Sequence, residues 1–133
     1  MPHIPLILVV DDDMDTREMY GWCLEARGFR VALAGSFTAA LEQAASETPD
    51  LVVTDFMLPG GDGFRLADAL RGSPRTADIA MILVSGRSFP EDALARATRL
   101  FNRVLLKPVL PDDLANAAEI ECSSDRATRY RQP

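Results

Sequence analysis

Apolar residues in this chain come in short unbroken runs, and each run ends in a side chain that can do chemistry. Leu6-Ile7-Leu8-Val9-Val10 leads into Asp11-Asp12-Asp13, and Leu51-Val52-Val53-Thr54 leads into Asp55. The run from Ile79 to Val84 leads into Ser85, and Val104-Leu105-Leu106 leads into Lys107. Continuous branched runs of this length are the pattern of strands buried on both faces. Between them lie segments of helical length and composition. A helix is predicted over 14–27, stopped by Gly28, and a short strand over 29–34. Ser36 is placed to cap a helix reaching about Glu47, which Thr48-Pro49-Asp50 breaks. After strand 51–54 comes a loop over 56–61, then a helix over 63–71 closed by Gly72-Ser73-Pro74. Strand 79–84 precedes a helix that opens between Ser88 and Asp92, with Pro90 in its first turn, and runs to about Leu100. Strand 103–106 is followed by Lys107-Pro108 and by a last helix, opened by Pro111-Asp112-Asp113 and reaching about Glu121. Strict alternation of five strands and five helices implies an α/β fold, a parallel sheet covered on both faces.

The length of 133 residues and an apolar fraction of 47% fit one domain with a real core. That domain is expected over 1–122, with 123–133 a polar tail or the start of a linker carrying Arg126, Arg129 and Arg131. A net charge of -6 speaks against a nucleic-acid surface. Cys23 and Cys122 have no metal-like spacing and read as ordinary thiols of a reduced, cytoplasmic protein. No apolar stretch approaches a secretion signal or a membrane span. His3, without a partner constellation, reads as a solvated terminal residue.

Ligands of parallel sheets lie at the carboxyl ends of the strands. Three adjacent carboxylates there repel one another and favour a hard cation. Mg²⁺ takes oxygen ligands and combines one or two carboxylates with a phosphate. Asp13 and Asp15 also suit a simpler role, capping the helix that follows. Asp55 could act as a nucleophile toward phosphorus. Ser85 could donate to a phosphoryl oxygen, with Gly86 allowing close approach, and Lys107 could pair with a carboxylate or a phosphate.

Taken together, Val-Val-Asp11-Asp12-Asp13, Asp55-x-x-Leu58-Pro59-x-x-Asp62-Gly63, Ser85-Gly86 and Lys107-Pro108 resemble the receiver domain of bacterial two-component response regulators. The resemblance runs from Leu6 to about Cys122. It implies a doubly wound, flavodoxin-like (βα)5 fold with strand order 2-1-3-4-5. It implies that Asp55 is the phosphoacceptor and that Mg²⁺ (or Mn²⁺) is held by Asp12, by Asp11 mainly through water, by Asp55 and by the backbone carbonyl of Met57. Ser85 and Gly86 would receive the phosphoryl group, Lys107 would form the ion pair, and the peptide before Pro108 would be cis. The donor would be a sensor histidine kinase or a histidine phosphotransfer protein. The domain would be a signalling receiver rather than a metabolic enzyme, catalysing its own phosphorylation and slow autodephosphorylation. Kinase choice is expected to rest on the first helix, with Thr16, Arg17, Met19 and Tyr20 as candidates. The output would be a downstream protein target or an output domain of a longer protein, with a homodimer through the fourth and fifth helices also open.

The chain departs from the family pattern in places. Val104 stands where an aromatic switch residue is common, with Phe101 a conceivable substitute that periodicity assigns to the core. Leu100-Phe101-Asn102-Arg103 replaces a common Gly-Ala-Asp-Asp and hints at a specialised output face, with ordinary drift as the alternative. Met57 and Arg87 occupy positions that tune phosphate lifetime; Met cannot orient an attacking water and Arg can shield the phosphoryl oxygens, so slow loss is expected. Two rival functions remain. One is a receiver-like binding module that is never phosphorylated. The other is a small phosphatase of the haloacid-dehalogenase type built on Asp11-x-Asp13 or Asp13-x-Asp15, which would leave Asp55 without a role.

Overall fold

The computed structural model describes residues 3–86 and 89–123. Along the chain the elements are β1 (Leu6–Val10), α1 (Met14–Ala26), β2 (Arg30–Ala34), α2 (Phe37–Ser46), β3 (Leu51–Asp55), β4 (Met57–Leu58), β5 (Gly61–Asp62), α3 (Gly63–Arg71), β6 (Ala80–Ser85), α4 (Glu91–Leu100), β7 (Arg103–Leu106) and α5 (Pro111–Cys122). Five strands form one parallel sheet in the order β2-β1-β3-β6-β7. This is the expected 2-1-3-4-5 arrangement, with the small β4–β5 ribbon standing apart.

The period-two alternation of strand side chains divides the core into two layers. Ile7, Val9, Leu51, Val53, Ile82 and Val84 point toward α1 and α5, packing with Tyr20, Leu24 and Leu114. Leu8, Val10, Val52, Met81 and Leu83 point the other way, toward Ala40 of α2, Phe64 and Leu66 of α3 and Ala97 of α4. Both faces are covered, which is why these strands read as unbroken apolar runs.

Caps set where the helices begin. Asp13 accepts from the Thr16 N–H, Ser36 from Ala39 and Asp62 from Arg65, each filling one of the orphan donors of a first turn. Several boundaries differ from the sequence reading, and those nearest the site are the following. The loop after β3 is an antiparallel ribbon, β4 against β5, turned at Gly60, whose φ of 87° suits glycine. The α4 helix begins at Glu91, with Pro90 at the cap position and no side-chain cap bond; Ser88 lies outside the described residues. Asp55 and Ser85 are the last residues of their strands rather than the first residues beyond them.

Candidate functional site

Strand register brings the chemistry together. Val10 pairs with Thr54, so Asp11 and Asp55 emerge side by side from β1 and β3. Asp55 pairs with Val84, and Ser85 with Leu106, so Ser85 and Lys107 follow at the same edge. One carboxylate oxygen each from Asp11, Asp12 and Asp55 lies within 4.8 Å of the others. That spacing fits a single hard cation, and the donors are all oxygen, as Mg²⁺ or Mn²⁺ prefers.

Asp55 is gripped at both oxygens. Its Oδ1 accepts the Phe56 backbone N–H at 2.8 Å, and its Oδ2 accepts from Lys107 Nζ at 3.1 Å. The same ammonium stands 3.7 Å from Asp11 Oδ2. Asp11 is only 3% exposed and accepts the Asp13 N–H at 2.9 Å, while Asp12 is exposed. Asp55, Phe56, Met57, Ser85, Gly86 and Lys107 line an open pocket of about 270 Å³. Ser85 is buried at its rim, and a Cβ on Gly86 would meet nothing within 4 Å, so there is room beside it. Gly63 serves the site from behind. A Cβ there would lie 3.0 Å from the Asp55 carbonyl oxygen, and the Gly63 N–H donates to Phe56 O at 2.6 Å. The Lys107–Pro108 peptide is cis.

The electrostatics follow from this crowding. Burial pushes the Asp11 carboxyl above the ordinary carboxylate range, and the charges of Asp55 and Asp12 add to it, against the opposing effect of the Asp13 N–H and Lys107. Burial is also the largest influence on Lys107 and works against its charge. The hydrogen bond and charge of Asp55, with Asp11, outweigh it and leave the ammonium raised. Asp13 is lowered by the Thr16 hydroxyl and then by the Thr16 N–H. Its side chain is therefore committed to the cap, which takes the second carboxylate away from an Asp-x-Asp phosphatase pair.

Other expectations resolve less simply. Tyr20 is 4% exposed and belongs to the core, so it is corrected from a surface candidate to a packing residue. Arg17 turns inward, donating to the Asp11 carbonyl at 2.8 Å. The helix-1 surface instead presents Met19 and, at 68% exposure, Trp22, which the sequence reading missed. The corner at 100–103 is accounted for internally. Leu100 O accepts from Arg71, Phe101 is buried beside Phe64, and Asn102 Oδ1 accepts the Met81 N–H at 2.6 Å. Arg103 pairs with the fully buried Glu121 at 3.1 Å. Each of these four residues thus has a contact of its own within the fold. Val104 is half-buried against the α3–α4 core layer. Arg87 lies outside the described residues. His3 is exposed as expected, yet it contacts Asp50 at 2.9 Å.

Among the described residues, no helix is long and apolar enough to cross a membrane. The sequence matches the response regulator receiver domain family over residues 7–119. The phosphate regulon transcriptional regulatory protein PhoB of Escherichia coli K12 is 33% identical over 108 residues, covering 81% of this chain and 47% of that protein. The chain thus spans about half the length of that relative. An uncharacterized 14.6 kDa protein of Leptolyngbya boryana is 36% identical over 116 residues, covering 87% of this chain and 88% of that one. Among solved structures, the CheY-like receiver domain protein of Methanospirillum hungatei superposes with a TM-score of 0.85 at 23% identity, covering 95% of this chain and 99% of that one. That likeness shows the fold alone. The CheY-like receiver domain of Methylobacillus flagellatus superposes with a TM-score of 0.79 at 26% identity, covering 90% and 99%. With the strand order, the carboxylate cluster and the lysine already in place, these matches identify the chain as a member of the response regulator receiver domain family.

Proposed function

We propose that Asp55 accepts a phosphoryl group from a histidine kinase or a histidine phosphotransfer protein, in a reaction that requires Mg²⁺ or Mn²⁺. The observation that supports this most strongly is the convergence of the Asp11, Asp12 and Asp55 oxygens within 4.8 Å, with Lys107 Nζ at 3.1 Å from Asp55. Asp11, Asp12, Asp55 and the Met57 carbonyl would hold the cation, whose charge would screen the carboxylates from the incoming phosphoryl oxygens. A carboxylate oxygen of Asp55 attacks phosphorus, the bond from phosphorus to the donor imidazole nitrogen breaks, and the acyl phosphate forms. Lys107 exchanges its carboxylate partner for a phosphoryl oxygen, and the Ser85 hydroxyl with the open space at Gly86 receives another. These groups are fixed before the donor arrives, so little reorganisation is needed in the transition state.

The donor is expected to meet the exposed face of α1, through Met19 and Trp22, and the signal to leave through α4, β7 and α5 to a protein target in the cytoplasm. Met57, 61% exposed at the mouth of the pocket, offers no group to orient an attacking water, and a slow loss of phosphate follows.

The test is intact mass after incubation with Mg²⁺ and phosphoramidate. Wild type should gain one phosphoryl group, and Asp55→Ala none. No adduct on wild type, with donor and metal verified, would move the reading to a binding module that works unphosphorylated.

A further inference from the structure

The residue after the acceptor, Phe56, is clamped at both ends of its backbone. Its N–H points at Asp55 Oδ1, 2.8 Å away, and at Val84 O, 3.2 Å away, while its carbonyl accepts the Gly63 N–H. Its ring is held on two sides. Phe64 of α3 and Phe89, ahead of α4, each meet it edge-on with centroids 5.1 Å apart. Phe64 and Phe89 are themselves 5.5 Å apart, which closes the triangle. Phe56 and Phe89 are only half-buried, so this is not deep core. Edge-to-face pairs carry an orientation preference that aliphatic contacts lack.

We infer that Phe89 is a positioning residue for phosphorylation. Through the Phe56 ring it fixes the peptide whose N–H orients the Asp55 carboxylate. The inference rests on the reading of Asp55 as phosphoacceptor. Removing the Phe89 ring leaves one side of Phe56 without support, and the peptide can tilt away from Oδ1. In-line attack on phosphorus is sensitive to such small displacements of the nucleophile. Asp11 and Asp12 sit on a different loop and keep their places, while Asp55 and the Met57 carbonyl flank the Phe56 peptide, so part of the hold on the cation loosens with it.

The experiment compares wild type with Phe89→Ala, Phe89→Leu, Phe89→Tyr and Phe101→Leu. Phe101 touches Phe64 but is not paired with Phe56, so it controls for general loosening. Three quantities are read: the phosphorylation rate at saturating Mg²⁺ and phosphoramidate, the Mg²⁺ dissociation constant, and the hydrogen-exchange rate of the Phe56 amide in the unphosphorylated protein. For Phe89→Ala the expected rate at saturating Mg²⁺ is lower by about fivefold to tenfold, with Mg²⁺ binding weakened by less than that factor and the Phe56 amide exchanging faster. Phe89→Tyr should restore the rate and Phe101→Leu should leave it unchanged. A folded Phe89→Ala at the wild-type rate overturns the inference, and so does an equal fall in Phe101→Leu. If Phe89→Ala does not fold, Phe89→Leu carries the same expectations. If wild type takes no phosphate, the phosphorylation reading falls separately. The Phe56 amide then decides the coupling, faster exchange in Phe89→Ala upholding it and unchanged exchange overturning it.

Discussion

Asp11 shows most directly what the site costs the fold. Its carboxylate is buried beside two other acids, and its folded pKa is raised. A carboxyl raised in the folded state contributes fully to stability below its unfolded value, near 3.8, and that contribution is lost as pH climbs through the raised folded value. The metal-free protein should therefore lose stability from this group on going from acid toward neutrality, and Mg²⁺ should restore it. Asp11→Asn is expected to stabilise the metal-free protein by about 1 kcal/mol, a rise in Tm of roughly 3–5 °C, while weakening Mg²⁺ binding. Thermal melts with and without Mg²⁺ at several pH values check this; a lower Tm for the metal-free variant would contradict it. Met57 offers a second test. Met57→Asn places an amide at the pocket mouth that can orient water, and the acyl phosphate should decay several-fold faster in a chemical-quench time course.

At the scale of elements, the corner between α4, β7 and α5 is held by polar contacts that composition does not announce. Arg103, partly exposed on β7, reaches the wholly buried Glu121 of α5. Removing one partner of such a pair is costly, and exposure of the arginine moderates the cost. Arg103→Ala should destabilise by on the order of 2 kcal/mol in urea unfolding; an unchanged midpoint would count against the pairing. Helix α4 is joined to α3 by Arg96, which pairs with Asp68 at 2.7 Å and lies 4.9 Å over the Phe64 ring. Both ends are exposed enough that Arg96→Ala should cost only about 1 kcal/mol, read as faster amide exchange in α4.

Element boundaries also show where sequence legibility ended. The apolar runs located the sheet strands because burial on both faces leaves an unbroken pattern. The β4–β5 ribbon was invisible, because two-residue strands have no period to detect. Orientation of α1 was misjudged at Tyr20, since apolarity alone does not say which way a helical residue faces. Tyr20 and Leu24, one turn apart, pack inward, and this leaves Trp22 outside.

For the whole molecule, alternation established a covered parallel sheet, but the order of its strands came from the family resemblance. The site was legible for a topological reason. A parallel sheet puts every strand's carboxyl end on one edge, so residues ending apolar runs were bound to converge. What the sequence left out was the detail that register and capping decide: Asp13 committed to its helix, Arg17 turned onto the Asp11 carbonyl, Phe56 clamped behind Asp55. A global consequence follows from linkage. Mg²⁺ at about a hundred times its dissociation constant should stabilise wild type by about 2.7 kcal/mol, and Asp12→Ala should lose most of that. Denaturation at matched ionic strength measures it.

The central claim is that Asp55, and no neighbouring carboxylate, takes the phosphoryl group. Borohydride reduces an acyl phosphate to an alcohol, leaving homoserine where the modified aspartate stood. The protein should be loaded with Mg²⁺ and phosphoramidate, reduced, digested and sequenced by mass spectrometry. The account expects homoserine at position 55 and unmodified aspartate at 11, 12 and 13. Homoserine at any of those three positions, or at none, would contradict it.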